Sequence, residues 1–318
     1  MPEISVVMSV YNSKAWLREA IASILAQTFT DFEFIIINDG STDGSLEIIK
    51  SFSDPRIILV DQENAGLPAA LNRGIQLAKA SLIARMDADD VSLPERLQIQ
   101  LDFLRQNPEI IAIGSAAVYI DESGRDIAPV QMPCSHAEIL AYLPESPFIH
   151  PTVVFRKEFF NLAQGYPVEF LGAQDAVLFN RMARLGKMAN LSECLLRYRI
   201  HRGAISRRTD RQRQTLGAII SRTVASGKTS REDCAAMAAM RTQTGEKERN
   251  YAYHLFLAKL YLRAKKHVKS RHELLSALGI LKRIAKFCRF LYMPACLLIW
   301  LHGSVSFTRR QKNGFVEF

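Results

Sequence analysis

The strongest constraint on this chain is a rhythm in its first hundred residues. Strand-length runs at 4–10, 32–38, 56–60 and 82–86 alternate with helical stretches at 14–27, 46–52, 67–79 and 94–106. The second run is apolar almost without a break, as in strands buried on both faces of a parallel sheet. Strand and helix signals alternating at this period predict a doubly wound α/β sheet. Asn12 and Ser13 stand where they can cap the first helix, whose Trp16, Leu17, Ala20, Ile21 and Ile24 share one face. Pro94 suits the first turn of the fourth helix. A less regular middle follows: a strand over 110–120, in which Gly114 signals a close backbone approach, and a loop-rich stretch over 121–150. A short strand at 152–155 and a helix over 175–185, ended by Gly186, complete it. From about 209 the pattern turns helical and basic to near 302. The division expected is an α/β domain over 1–208 and a basic helical region over 209–318.

Charge divides the chain in a similar place. Residues 1–196 carry 15 Lys+Arg and 25 Asp+Glu, a net of −10, whereas residues 197–318 carry 26 and 7, a net of +19. An acidic front and a basic back rarely serve one purpose. At 48% hydrophobic residues the chain can bury a large core, which excludes disorder. The five cysteines form no C-x-x-C pair, so structural zinc is disfavoured and a reducing compartment is expected. No G-x-x-x-x-G-K-[ST] or G-x-G-x-x-G is present, which argues against P-loop enzymes and standard NAD enzymes.

In an open parallel sheet, ligands bind beyond the carboxyl ends of the strands. Those ends here carry Tyr11-Asn12, then Asn38-Asp39-Gly40, then Asp61 with Asn64-Ala65-Gly66, then Asp87-Ala88-Asp89-Asp90. Four successive strands thus deliver polar groups to one edge, three of them carboxylates, and packing requires none of this. Asp87 and Asp89, at i and i+2 of an extended segment, can converge on one ligand. Oxygen-only ligands suit a hard cation, Mg²⁺ or Mn²⁺. The same run also fits a solvated turn before Pro94, most readily for Asp90.

These motifs together resemble the family 2 glycosyltransferases. The resemblance rests on Ser5-Val6-Val7-Met8-Ser9-Val10-Tyr11-Asn12, Ile36-Ile37-Asn38-Asp39-Gly40-Ser41-Thr42-Asp43, Asn64-Ala65-Gly66 with Asn72, and Asp87-Ala88-Asp89-Asp90. It covers about residues 3–205. It implies a GT-A fold, a Rossmann-like and mostly parallel sheet, here followed by a C-terminal α-helical extension. It also implies an inverting transfer from a nucleotide-diphosphate sugar with a divalent metal, Mn²⁺ or Mg²⁺. By the same resemblance Tyr11, Asn12, Asn64, Gly66 and Asn72 lie by the nucleotide. Asp39 accepts from a base N–H, which favours a UDP-type donor, although Ala70 stands where the family often has an arginine. Asp87 contacts ribose or metal, Asp89 ligates the metal, and His201 completes its shell. Asp175, in Gly172-Ala173-Gln174-Asp175, matches the catalytic base, and it also fits a helix N-cap. Gln174 replaces the usual glutamate of that motif. His150, in His150-Pro151, falls near donor sugar or acceptor, or is a structural loop histidine.

The basic back half has two readings beyond a solvated helical face. Ten Lys and Arg between 259 and 289 precede an apolar run at 290–301 that includes Tyr292 and Trp300. At 12 residues this run is too short to span a bilayer but suits an interfacial anchor on anionic lipid. Aromatics are not interleaved with the basic residues, so nucleic acid is not an expected partner. The start, Met1-Pro2-Glu3, lacks a signal-peptide pattern. Expected, then, is a cytoplasmic enzyme, peripheral at the inner membrane face, acting on a glycan or polyprenyl-linked acceptor. Two rivals stand beside it. A sugar nucleotidyltransferase would want a Gly-rich basic loop where Tyr11-Asn12-Ser13 stands. A non-catalytic membrane- or polyanion-binding protein with a degenerate transferase domain would be consistent with Gln174.

Overall fold

The structure is a computed structural model that describes residues 1–170, 173–203, 210–242 and 246–264, with Lys269, Glu273 and Ser276. Gly172 and the apolar run 290–301 lie outside the described residues. The chain divides into two compact units, 1–243 and 244–318.

The first unit opens with the expected alternation: β1 (Ile4–Val10), α1 (Leu17–Leu25), β2 (Phe32–Asp39), α2 (Ser45–Lys50), β3 (Ile57–Gln62), α3 (Leu67–Leu77) and β4 (Leu82–Met86). There follow β5 (Val91–Ser92), α4 (Arg96–Gln106), β6 (Ile110–Ile120), β7 (Asp126–Val130), α5 (His136–Tyr142), β8 (Val154–Arg156), α6 (Lys157–Leu162), α7 (Gln174–Met182) and β9 (Lys187–Arg199). Two helices complete the unit, α8 (Asp210–Ser226) and α9 (Arg231–Thr242), and α10 (Glu246–Arg263) belongs to the second.

The nine strands among the described residues join one sheet in the order β3-β2-β1-β4-β8-β6-β9-β5, with β7 on β6. The first four are parallel to one another. Every residue of β2 is buried, as both-face coverage by helices requires. The later strands mix both directions: β8 is antiparallel to β4 and β6, whereas β9 runs parallel to β6.

Leu17, Ala20, Ile21 and Ile24 form the buried stripe of α1 as their spacing predicts. Trp16 does not join it; it is the residue before the helix and lies half-buried. Nor do the side chains of Asn12 and Ser13 cap the helix. Asn12 adopts a left-handed φ of 49° and turns its side chain toward the β2–α2 loop. The expected approach at Gly114 is present, since a Cβ there would come within 2.6 Å of Phe148 and collide with Asn190. β9 is invisible to alternation rules because its burial alternates only in part.

Helices α8 and α9, beyond the boundary expected at 208, share a core with α7. Phe170, Ala173, Ala176 and Val177 pack with Leu216, Ile219, Ile220, Val224 and Met237. Each such side chain buried contributes about 1.5–3 kcal/mol for the larger apolar residues, enough to hold both helices on the sheet domain. Within the second unit, α10 buries Tyr253, Leu257, Leu260 and Tyr261, and His254 pairs with Glu273 at 2.6 Å. No helix among the described residues is long and apolar enough to cross a membrane.

Candidate active site

Strand register brings the polar strand ends to one edge. Val10 lies opposite Asn38, Asn38 opposite Asp61, Asp39 opposite Gln62, and Met8 opposite Met86. The loops carrying Tyr11, Asp39, Asn64 and Asp87 therefore leave the sheet side by side.

The first group surrounds Asp39. Its carboxylate is 1% exposed and accepts from Gln62 Nε2 at 2.6 Å and from the backbone N–H groups of Ala65 and Gly66 at 2.9 Å. Gly66 reaches this position with φ +86°, a conformation glycine adopts without Cβ strain. The Asn64 amide donates to the Asp39 carbonyl at 3.0 Å. Asn12 Oδ1 accepts from Thr42 N at 2.8 Å, tying the first loop to the second, and Tyr11 beside it is 53% exposed.

The second group is acidic. One oxygen from each of Asp87, Asp89 and Asp90 lies within 4.8 Å of the others. Asp90, the residue that best fitted a solvated turn, is instead 1% exposed. Its Oδ1 accepts from Arg199 N at 2.8 Å, while its buried Oδ2 has no partner. Burial raises the Asp90 carboxyl well above the ordinary range, with repulsion from Asp89 and Asp87 adding to it. Asp87 is raised too, by burial and by Asp89, against the opposing pull of Arg85, with which it forms an ion pair. Three crowded carboxylates, one with an orphaned buried oxygen, are a donor set that fits a divalent cation.

Asp89 and His201 meet here because β5 pairs with β9, Val91 facing Arg197. That pairing carries the end of β9 back to the Asp87–Asp90 loop. Asp89 Oδ2 and His201 Nε2 are 2.8 Å apart.

The third group converges on Tyr166. Asn72 exchanges two hydrogen bonds with the Tyr166 backbone, at 2.8 and 3.0 Å. The Tyr166 hydroxyl and His150 Nε2 are 2.7 Å apart. Burial, with Arg85 adding, holds the His150 imidazole well below its ordinary value, so it is neutral at physiological pH. Burial pushes the Tyr166 phenol up, and the charges of Asp175 and Asp87 act in the same direction. Asp175 lies in the first turn of α7 and does not cap it, since the residue before the helix is Ala173. Its charge also raises Asp87. Asp175, Asp87 and Tyr166 are thus electrostatic neighbours. Gln174 beside it is buried at 3% exposure.

Of the residues selected by sequence, Asp87, Asp89 and His201 come together, as do Asp39, Asn64 and Gly66. Asn72 and His150 meet through Tyr166. Sequence reasoning passed over Arg85 and Tyr166, and gave Trp16 only a place on the face of the first helix. Arg85 carried a signal: a charged residue inside an otherwise apolar, buried strand, two positions before Asp87.

The family model described as glycosyl transferase family 2 matches residues 5–167. The chain belongs to that family. Among its relatives is the O-antigen biosynthesis glycosyltransferase WbnJ of Escherichia coli, 38% identical over 207 residues, which are 62% of this chain and 80% of the relative. Another is the amylovoran biosynthesis glycosyltransferase AmsE of Erwinia amylovora, 31% identical over 211 residues, or 64% of this chain and 79% of the relative. Solved structures share the fold. TarS 1-349 of S. aureus in complex with UDP-GlcNAc has a TM-score of 0.58 at 15% identity, covering 91% of this chain and 92% of its own. The mannosyltransferase PcManGT of Pyrobaculum calidifontis, in complex with GDP-Man and Mn²⁺, has a TM-score of 0.55 at 16% identity, covering 97% and 81%. The sheet of this glycosyltransferase is accordingly the GT-A fold, followed by C-terminal helices.

Proposed function

We propose that this glycosyltransferase moves a sugar from a nucleotide-diphosphate sugar to a hydroxyl of a glycan or lipid-linked acceptor in cell-surface polysaccharide synthesis, with inversion. The observation that carries the reading is the cluster of Asp87, Asp89 and Asp90 within 4.8 Å, with the charge of Asp175 acting on Asp87. The complexes of fold neighbours with UDP-GlcNAc and with GDP-Man and Mn²⁺ support a nucleotide-sugar donor. The O-antigen and amylovoran relatives support a polysaccharide product.

Asp87 and Asp89, with His201 and the orphaned oxygen of Asp90, are the residues that would hold Mn²⁺ or Mg²⁺. Such a cation acts as a Lewis acid toward the charge that develops on a leaving diphosphate. Asp39, Asn64 and Gly66 form the nucleotide side of the cleft. One carboxylate oxygen of Asp39 retains acceptor capacity for a base N–H, and a UDP-type donor suits it. Asp175 takes the acceptor hydroxyl proton as that oxygen attacks the anomeric carbon from the face opposite the diphosphate, and a single displacement inverts the centre. His150, neutral and fixed by Tyr166, serves as a hydrogen-bonding group beside the sugar. The basic region binds anionic lipid and keeps the enzyme at the inner membrane face, where a lipid-linked acceptor resides.

The test is transfer and donor hydrolysis across UDP- and GDP-sugars with Mn²⁺, comparing wild type with Asp175→Asn and Asp89→Ala. Loss of a general base lowers turnover by about 10²–10⁴-fold. Variants as active as wild type would remove the site assignment. A wild type inert to every donor that still floats with anionic vesicles would favour the non-catalytic rival. Retained anomeric configuration in the product would exclude the single displacement.

A further inference from the structure

We propose that Arg199 is a positioning residue that sets Asp89 and His201 at the separation a cation needs. The proposal rests on the metal reading above. Arg199 ends β9 and is 2% exposed although its guanidinium is charged. A charge so buried is tolerated only when its donors are met, and here three segments of the chain meet them. Its backbone N–H donates to Asp90 Oδ1 at 2.8 Å, and its Nε to the Asp89 carbonyl at 2.8 Å. Nη1 donates to the carbonyls of Asp121 and Glu122 at 3.3 Å, and Nη2 to Glu19 Oε2 at 2.6 Å.

The opposite side of the pair is fixed from the same hub. The Arg199 guanidinium carbon lies 5.6 Å from the Trp16 ring centroid, and the Trp16 ring lies 4.6 Å from that of His201. Trp16 Nε1 donates to the Glu122 carbonyl at 3.1 Å, the acceptor it shares with Arg199. One planar fork therefore fixes the main chain beneath the Asp89 carboxylate and the ring that limits the His201 imidazole. Arg199 touches neither carboxylate oxygen of Asp89, so it acts through its neighbours. A lysine cannot substitute, because one ammonium does not reach acceptors spread over three segments.

The test uses the full chain without donor. Free Mn²⁺ is followed by electron paramagnetic resonance during titration of wild type, Arg199→Lys and Glu19→Gln, with far-ultraviolet circular dichroism as the folding control. Folded Arg199→Lys is expected to bind Mn²⁺ about tenfold or more weakly, the usual scale for losing an outer-shell partner. Activity at saturating Mn²⁺ is expected to return to within about threefold of wild type, since the proton-transfer group is untouched. If Arg199→Lys does not fold, Glu19→Gln carries the test, with about two- to fivefold weaker binding expected for weakening one ion pair whose Glu19 side is half-exposed. Unchanged Mn²⁺ affinity in a folded variant overturns the proposal. A wild type that takes up no Mn²⁺ overturns the metal reading beneath it, and the proposal with it.

Discussion

Asp89 and His201 stand 112 positions apart and meet at 2.8 Å, carboxylate Oδ2 to imidazole Nε2. The backbone N–H of Gly203 lies 3.2 Å from His201 Nδ1, so the segment that carries the histidine also holds its ring, with Nε2 toward Asp89. The pair is thus prearranged, with the imidazole oriented by its own chain. His201→Ala is expected to weaken Mn²⁺ binding about tenfold or more while the fold persists, as loss of a ligand or its orienting partner does. Isothermal titration of the variant with Mn²⁺ checks this. Wild-type affinity would mean that His201 only closes the loop.

Asp39 is satisfied by three donors before any nucleotide arrives. Asp39→Asn must turn an amide N–H₂ toward at least one of them, losing a hydrogen bond to a charged acceptor. The expected cost is about 1.5–3 kcal/mol of stability, read from urea unfolding. Affinity for UDP should fall in the same variant. A loss of stability with UDP affinity intact would confine Asp39 to holding the Ala65–Gly66 turn.

The turn after β6 gives a pH signature. Burial raises the Asp121 carboxyl, but hydrogen bonds from Ser123 and from the Arg125 backbone and guanidinium outweigh it and bring it down to about 2. A carboxylate lowered in the folded state contributes stability above its unfolded value of 3.8 and loses it as pH falls toward 2. Asp121→Asn should therefore have a lower Tm than wild type at pH 7, and the gap should close between pH 3.8 and 2. Differential scanning calorimetry across that range reads it. A gap constant with pH would assign the loss to packing.

The basic region offers a salt-dependent test. The full chain should float with vesicles rich in phosphatidylglycerol and not with phosphatidylcholine alone. Flotation should weaken steeply above ~0.15 M salt, where the Debye length falls below about 8 Å. Equal flotation with both lipids would indicate that charge does not drive attachment.

The sequence by itself determined the alternation of β1 to β4 with their helices, because buried parallel strands need near-continuous apolar runs. It likewise determined that acids would gather at one sheet edge, since topology fixes where such strands end. Gly114 was legible as a close approach for the same local reason, a missing side chain inside an apolar strand. The tertiary structure alone decided the rest. Asp90 reads as a turn residue until β9 returns and its backbone N–H claims the carboxylate. Trp16 fits a helical apolar stripe by spacing, and only the fold shows it beside His201. Asn72 and His150 share nothing in sequence, and Tyr166 joins them. These relations arise from β9 and the 166 loop, segments without a clean period, whose positions follow from long-range pairing rather than from local pattern.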